Sequence, residues 1–267
     1  MTYRDVELEI DDPVAVLRLN RPEKLNAFTY DTLREIRAAI DACATDRRVV
    51  GIVITGNGRG FCAGLDAAAL AAVTAAPNPR EADRSNDAAL PGIFSYLLEV
   101  PKPVIAAVNG VAAGGGMILA LMSDLRIASN DASFTTVFLK RGLIAEHGSS
   151  WLLPRLVGIG RALDLLWMSD RIDAATALKY GLVETVVAPA ALLSTACDYV
   201  RKLAATSSPA AIAETKRLLY RHVGTGYLEA LREADASQWR FVTSADAREG
   251  ATALLEKRAP KFTRLGD

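Results

Sequence analysis

Three consecutive glycines, Gly114, Gly115 and Gly116, stand between the β-branched run Val104–Val108 and the apolar residues 117–122. A strand that passes through bare backbone into a helix leaves the first helical N–H groups without intrahelical partners. The helix dipole adds partial positive charge at the same point. Such a turn can hold an anion or a developing oxyanion. The same glycines also permit a close strand–helix approach, and the run alone does not decide between the two. The G-x-G-x-x-G of a dinucleotide fold and the G-K-[ST] of a phosphate-binding loop are both absent.

A second strand-like run ends in the same way. Residues 50–55 lead into Gly56-Asn-Gly-Arg-Gly-Phe-Cys-Ala-Gly-Leu-Asp66. Two such turns from neighbouring strands could bring two backbone N–H groups to one oxygen, forming an oxyanion hole. The runs Val14–Leu19, 50–55 and Val104–Val108 are bounded by Gly, Pro or Asn, as strands are. Between the first two, residues 32–44 put Leu33, Ile36, Ala39 and Ile40 on one helical face. This rhythm predicts an α/β fold with right-handed crossovers. From Pro189 onward, residues 189–205, 209–223, 227–242 and 245–257 each predict a helix. We therefore expect a core over residues 1–200 and a helical region over 201–267. Residues 67–90, Ala-rich and then polar around Pro77 and Pro79, predict an adaptable surface segment.

Lys plus Arg number 31, as do Asp plus Glu, so the formal net charge is zero. Neither nucleic acid nor a membrane surface is an expected partner. The longest uncharged apolar stretch, 110–122, falls short of the about 20 residues of a membrane span. Cys43, Cys62 and Cys197 form no C-x-x-C pair, so a reducing compartment without a disulfide framework is expected. With His147 and His222 the only histidines, no His-based metal centre is expected. The opening residues, MTYRDVELEIDD, lack the basic-then-apolar run of a signal peptide, and a cytoplasmic location is expected.

Five motifs carry a family resemblance. They are Leu19-Asn-Arg-Pro-Glu-Lys-Leu-Asn-Ala-Phe28, Phe61-Cys-Ala-Gly-Leu-Asp66, Asn109-Gly-Val-Ala-Ala-Gly-Gly-Gly116, Ser123-Asp-Leu-Arg-Ile-Ala128 and Glu249-Gly-Ala-Thr-Ala-Leu-Leu-Glu-Lys-Arg258. In this order the chain resembles the crotonase superfamily, the enoyl-CoA hydratase/isomerase family. The resemblance implies repeated ββα units with a helical C-terminal trimerisation region, and trimers that pair into hexamers. It implies an acyl-CoA thioester as substrate, with coenzyme A part of that substrate and no separate cofactor. The thioester oxygen would sit between the amides of Leu65 and Gly115, with Asp66 ordering the first turn. Lys24, Leu25, Ala27 and Ala63 match the segments that hold the coenzyme. Lys261 and Phe262 match a tail that reaches a neighbouring subunit's nucleotide. Lys24 and Lys261 can equally be solvated lysines.

Hydratases of the family place two glutamates around one water. In this chain the matching positions are Ile118 and Phe138, which cannot orient or deprotonate water. Glu146, in Lys140-Arg-Gly-Leu-Ile-Ala-Glu-His-Gly-Ser-Ser-Trp-Leu-Leu-Pro-Arg155, resembles the acid of family isomerases, where Asp is usual. A single carboxylate suits a 1,3-proton shift. Burial against Leu143, Ile144 and Trp151 is expected to make it a neutral-range base. Phe138 and Trp151 are expected to shape the acyl pocket, and Cys62 to be a small core thiol. His147 can tune Glu146, but no acidic partner completes a Ser–His triad with Ser149 or Ser150. Glu81, Asp83 and Asp87 are the fallback acids. Three readings follow: a double-bond isomerase using Glu146, a hydratase or other reaction with displaced acid/base residues, and a non-catalytic coenzyme A binder.

Overall fold

The computed structural model describes residues 3–75 and 92–266. The fallback acids Glu81, Asp83 and Asp87, and the surface segment beyond residue 75, lie outside the described residues. The chain runs through four ββα units. These are β1 (Val6–Asp11), β2 (Val14–Leu19) and α1 (Tyr30–Thr45); β3 (Gly51–Gly56), β4 (Gly60–Cys62) and α2 (Ala67–Ala75); β5 (Val104–Val108), β6 (Val111–Ala113) and α3 (Gly115–Met122); then β7 (Leu125–Ser129), β8 (Ser133–Thr135) and α4 (Ser149–Val157). There follow α5 (Ile159–Trp167), β9 (Ile172–Asp173), α6 (Ala174–Tyr180), β10 (Thr185–Val187), α7 (Leu192–Thr206), α8 (Pro209–His222), α9 (Tyr227–Val242) and α10 (Ala245–Glu256). The last four match the helices expected from the sequence.

The six-stranded sheet has the order β1-β2-β3-β5-β7-β10, parallel except for the antiparallel β1–β2 edge. The second sheet, β4-β6-β8-β9, takes the other strand of units two, three and four. Both faces of the inner strands β2, β3 and β5 are covered, so these read as nearly continuous apolar runs, whereas the edge strand β1 alternates. Leu17, Ile52, Ile54, Val104 and Ala106 point into the main core, with Ile36 and Ile40 of α1. Val14, Val16, Val53, Ile105 and Ala107 point the other way, under Leu192, Ala196 and Val200 of α7.

Buried charges lock these layers. Lys102 donates from Nζ to the carbonyls of Cys43 and Asp46, at 2.8 and 2.6 Å, which satisfies the end of α1. Arg126 spans Leu182 and Ser123 carbonyls and pairs with Glu184. Asp124 takes Lys216 Nζ at 2.7 Å, the Tyr220 hydroxyl at 2.8 Å and the Val104 amide at 2.7 Å. The Ser123–Ala128 motif is thereby explained as a clamp between sheet and α8. Among the described residues no helix is long and apolar enough to cross a membrane, and no cluster could hold a metal ion.

Candidate active site

The two Gly-rich turns meet. A Cβ on Gly64 would lie 2.7 Å from the Ala113 carbonyl oxygen and 3.1 Å from the Gly115 amide nitrogen. One on Gly116 would fall 2.0 Å from the Cys62 carbonyl oxygen. Only bare backbone allows this approach, so the glycines are needed for the close packing of the two turns. Gly115 opens α3 behind Gly114, which offers no side-chain cap, so its N–H lies among the unsatisfied donors of a helix start.

Leu65 presents its amide by a different device. It forms a parallel bridge with Phe28, whose N–H donates to Gly64 O and whose carbonyl accepts Asp66 N–H, both at 2.9 Å. In such a bridge the central residue turns its own N–H and C=O away from the partner strand. Asp66 accepts the Ala68 amide at the start of α2 and meets Arg21 Nη2 at 3.4 Å. Its carboxylate is thus engaged in ordering the turn.

Around the paired turns the lining is apolar. Ile118 is fully buried, and Phe138 is buried with its ring edge about one contact distance from Gly114, where Cε1 would meet an added Cβ at 4.0 Å. Phe28 and Ile93 close over Gly115, at 2.4 and 3.2 Å from an added Cβ. Gly92, the neighbour of Ile93, would place its Cβ 3.5 Å from His147 Cα. Two consecutive residues therefore span from the Cβ side of Gly115 to the Glu146–His147 turn.

Glu146 itself departs from expectation. Its side chain is 32% exposed and lies 3.6 Å from His147 Nε2. Ile144 is 77% exposed, so it does not bury the carboxylate. Trp151 lines a different cavity of about 880 Å³, with Pro101, Phe241 and Leu265, and Arg155 stacks over its ring at 4.2 Å. The reason is local. Gly142, His147 and Gly148 all have positive φ, so successive side chains of this turn diverge. Leu143 and Trp151 both stay packed on the core, and of the three only Ile144 goes to solvent.

Of the other predicted positions, Leu25, Ala27 and Ala63 lie together, joined by the Ala63 amide donating to Leu25 O at 3.0 Å, and Lys24 is exposed beside them. Lys261 donates its amide to Glu249 at 2.7 Å, and Phe262 packs on Gly250 of the same chain. Cys62 is fully buried, which pushes its thiol up to about 12 and removes it as a nucleophile. Sequence reasoning missed Arg21, Asn26 and Asn109, which tie the turns together. The available signal was an Asn in each of two motifs, beside Gly or at a turn, where Asn tolerates left-handed backbone.

A family model described as enoyl-CoA hydratase/isomerase matches residues 9–264. The chain is 36% identical over 255 residues to the 1,2-epoxyphenylacetyl-CoA isomerase of Escherichia coli, covering 95% of this chain and 96% of that protein. It is 39% identical over 267 residues to the crotonyl-CoA hydratase of Syntrophomonas wolfei, covering 98% and 99%. The crystal structure of enoyl-CoA hydratase from Mycobacterium smegmatis superposes with a TM-score of 0.86 at 31% identity, covering 97% and 99%. With the ββα units, the two facing turns and these matches in agreement, the chain belongs to the enoyl-CoA hydratase/isomerase family of the crotonase superfamily.

Proposed function

We propose that this enzyme is an acyl-CoA double-bond isomerase that works through an oxyanion-stabilised enolate. The thioester oxygen accepts hydrogen bonds from the Leu65 and Gly115 amides. Glu146 removes the proton at C2 of a 3-enoyl thioester, and the electrons delocalise to the oxygen as a dienolate. The same carboxyl returns the proton at C4, so the double bond moves to C2–C3 and no atom is gained or lost. The observation that carries this reading is the combination of Ile118 and Phe138, both buried and apolar, with one carboxylate on the turn that Gly92 and Ile93 connect to Gly115. The E. coli relative is itself named an isomerase, while the S. wolfei relative is named a hydratase. Segment 24–27 and Ala63 hold the coenzyme, with Lys24 and Lys261 available to its phosphates. Helices α8–α10, with Leu219, Leu228, Leu231, Leu254 and Leu255 exposed, form trimer contacts.

The test is Glu146→Gln, which keeps size and hydrogen bonding but cannot take a proton. Acyl-CoA binding should stay nearly intact, and turnover should fall by about 10²–10⁴-fold. A panel of 2-enoyl and 3-enoyl thioesters read by mass decides the reaction. Isomerisation leaves the mass unchanged, and hydration adds one water. Undiminished turnover in Glu146→Gln, or hydration well above isomerisation in the wild-type enzyme, would overturn the proposal.

A further inference from the structure

Asn26 joins two parts of the site that have different tasks. Its backbone belongs to the segment assigned above to coenzyme A, and its side chain holds the loop that leads to Leu65. Asn26 is 1% exposed and adopts left-handed backbone at φ 57. Its Nδ2 donates to Asn57 O at 2.9 Å and to Gly60 O at 2.8 Å, and its Oδ1 accepts the Arg21 amide at 2.9 Å. A buried amide with three bonds filled, two of them to residues 31 and 34 positions away, is a rigid strut. The approach is so close that a Cβ on Gly56 would stand 2.6 Å from Asn26 Nδ2.

Backbone pairs continue the connection to the oxyanion turn. Ala63 N–H donates to Leu25 O, Phe28 N–H to Gly64 O and Asp66 N–H to Phe28 O. Arg21 closes the other side, with Nη1 on Ala27 O at 2.5 Å and Nη2 on Asp66. The coenzyme-side segment and the turn carrying Leu65 are in this way one stapled unit. Asn109 provides a comparison within the same site. It also reaches Gly60 O, at 3.2 Å, and accepts the Gly56 amide at 3.0 Å. Its side-chain bonds go to residues 55–60 and not to the coenzyme-side segment.

We propose that Asn26 is a positioning residue that converts coenzyme A binding on segment 24–27 into alignment of the Leu65 amide with the thioester oxygen. This rests on the function proposed above. Contact with a part of the substrate that does not react then raises kcat instead of only lowering KM. Full-length and truncated thioesters should consequently differ in kcat, and that difference should run through Asn26.

The experiment compares a saturated acyl-CoA with the same acyl group on N-acetylcysteamine, which keeps the thioester and lacks the nucleotide. The readout is kcat for exchange of the α-proton with deuterated water, which needs only enolate formation. In the wild-type enzyme the acyl-CoA should exchange faster by up to about a hundredfold, the scale of a 1 Å misplacement. Asn26→Ala should bring acyl-CoA exchange down toward the truncated rate, so that the two converge. Asn109→Ala should slow both thioesters by the same factor and preserve their ratio. Asn26→Asp keeps the size and the Oδ1 acceptor but loses both donors, so it gives the same convergence if the alanine variant fails to fold. Equal slowing of both thioesters in the Asn26 variants, or a wild-type ratio near one, overturns the coupling alone. A wild-type enzyme that binds acyl-CoA yet exchanges no α-proton overturns the functional reading, and the coupling with it.

Discussion

Replacing Gly115 by alanine puts the close packing of the two turns under load. A Cβ there would stand 2.4 Å from Phe28 Cζ, 2.9 Å from Cε1 and 3.2 Å from Ile93 Cδ1. Carbon contacts settle at about 3.5–4.0 Å, so the Phe28 ring has to retreat by about 1 Å. It has little room. Phe28 is fully buried, stands edge-on to Phe94 with centroids 5.7 Å apart, and is held by its backbone to Gly64 and Asp66. Overpacking of this kind costs about 1–3 kcal/mol of stability. At about 2–4 °C per kcal/mol for a chain of this size class, Tm should drop by several degrees. The displacement also passes to Leu65 through its bridge with Phe28, and a misplacement near 1 Å lowers turnover by about a hundredfold. Gly115→Pro deletes the N–H as well, which adds a loss of about 2.7–4 kcal/mol in transition-state stabilisation. Adding Phe28→Leu to Gly115→Ala vacates the ring edge and should recover part of the exchange rate. The assays are α-proton exchange into deuterated water and thermal unfolding. Gly115→Ala with wild-type Tm and wild-type exchange would refute the packing argument.

Two further outcomes follow from the C-terminal helices. Hydrogen bonds from Arg217 and Ser237 hold the Glu214 carboxyl down to about 2 from an ordinary 4.5, and Arg258 does the same for Glu249. A depressed carboxyl contributes stability that is full above the unfolded value and is lost as pH falls through the folded one, so Tm should decline as pH drops from about 4.5 toward 2. Glu214→Gln should flatten that acid limb, and an unchanged limb would show that the α8–α9 ion pairs do not contribute. The exposed Leu254 and Leu255 of α10 predict a trimer or hexamer by light scattering, and a monomer at micromolar concentration would reject that assembly.

How much of this could be read in advance depended on how local each cause was. Val14–Leu19 and Val104–Val108 are buried on both faces, so their apolar runs stand out in the sequence. Gly60–Cys62, Val111–Ala113 and Ser133–Thr135 are only three residues long, too short for alternation to register. They become strands by pairing with one another in the second sheet. The four C-terminal helices carry their own periodicity and caps, such as Ser208 on α8 and Ser244 on α10, and were legible.

The site divides in the same way. Bare backbone at the two turns is a property of the glycines themselves, whereas the 3.1 Å approach of a Gly64 Cβ position to the Gly115 amide depends on β4 pairing with β6. The bonds by which Arg21, Asn26 and Asn109 join the two turns reach partners 31 to 54 residues away, which a short-range pattern does not reveal. The expected burial of Glu146 against its sequence neighbours failed for the complementary reason, because it equated nearness in sequence with contact. In a turn with three positive-φ residues, Ile144 goes to solvent and Trp151 faces the cavity beside α8 and α9. The protein wall on the site side of that turn comes instead from residues 92 and 93, more than 50 positions upstream, with Gly92 against His147 and Ile93 against Gly115. One short segment thus touches both the proposed proton-transfer turn and the proposed oxyanion donor. Glycine at position 92, with φ at 104, is what lets the chain bend tightly enough to reach both.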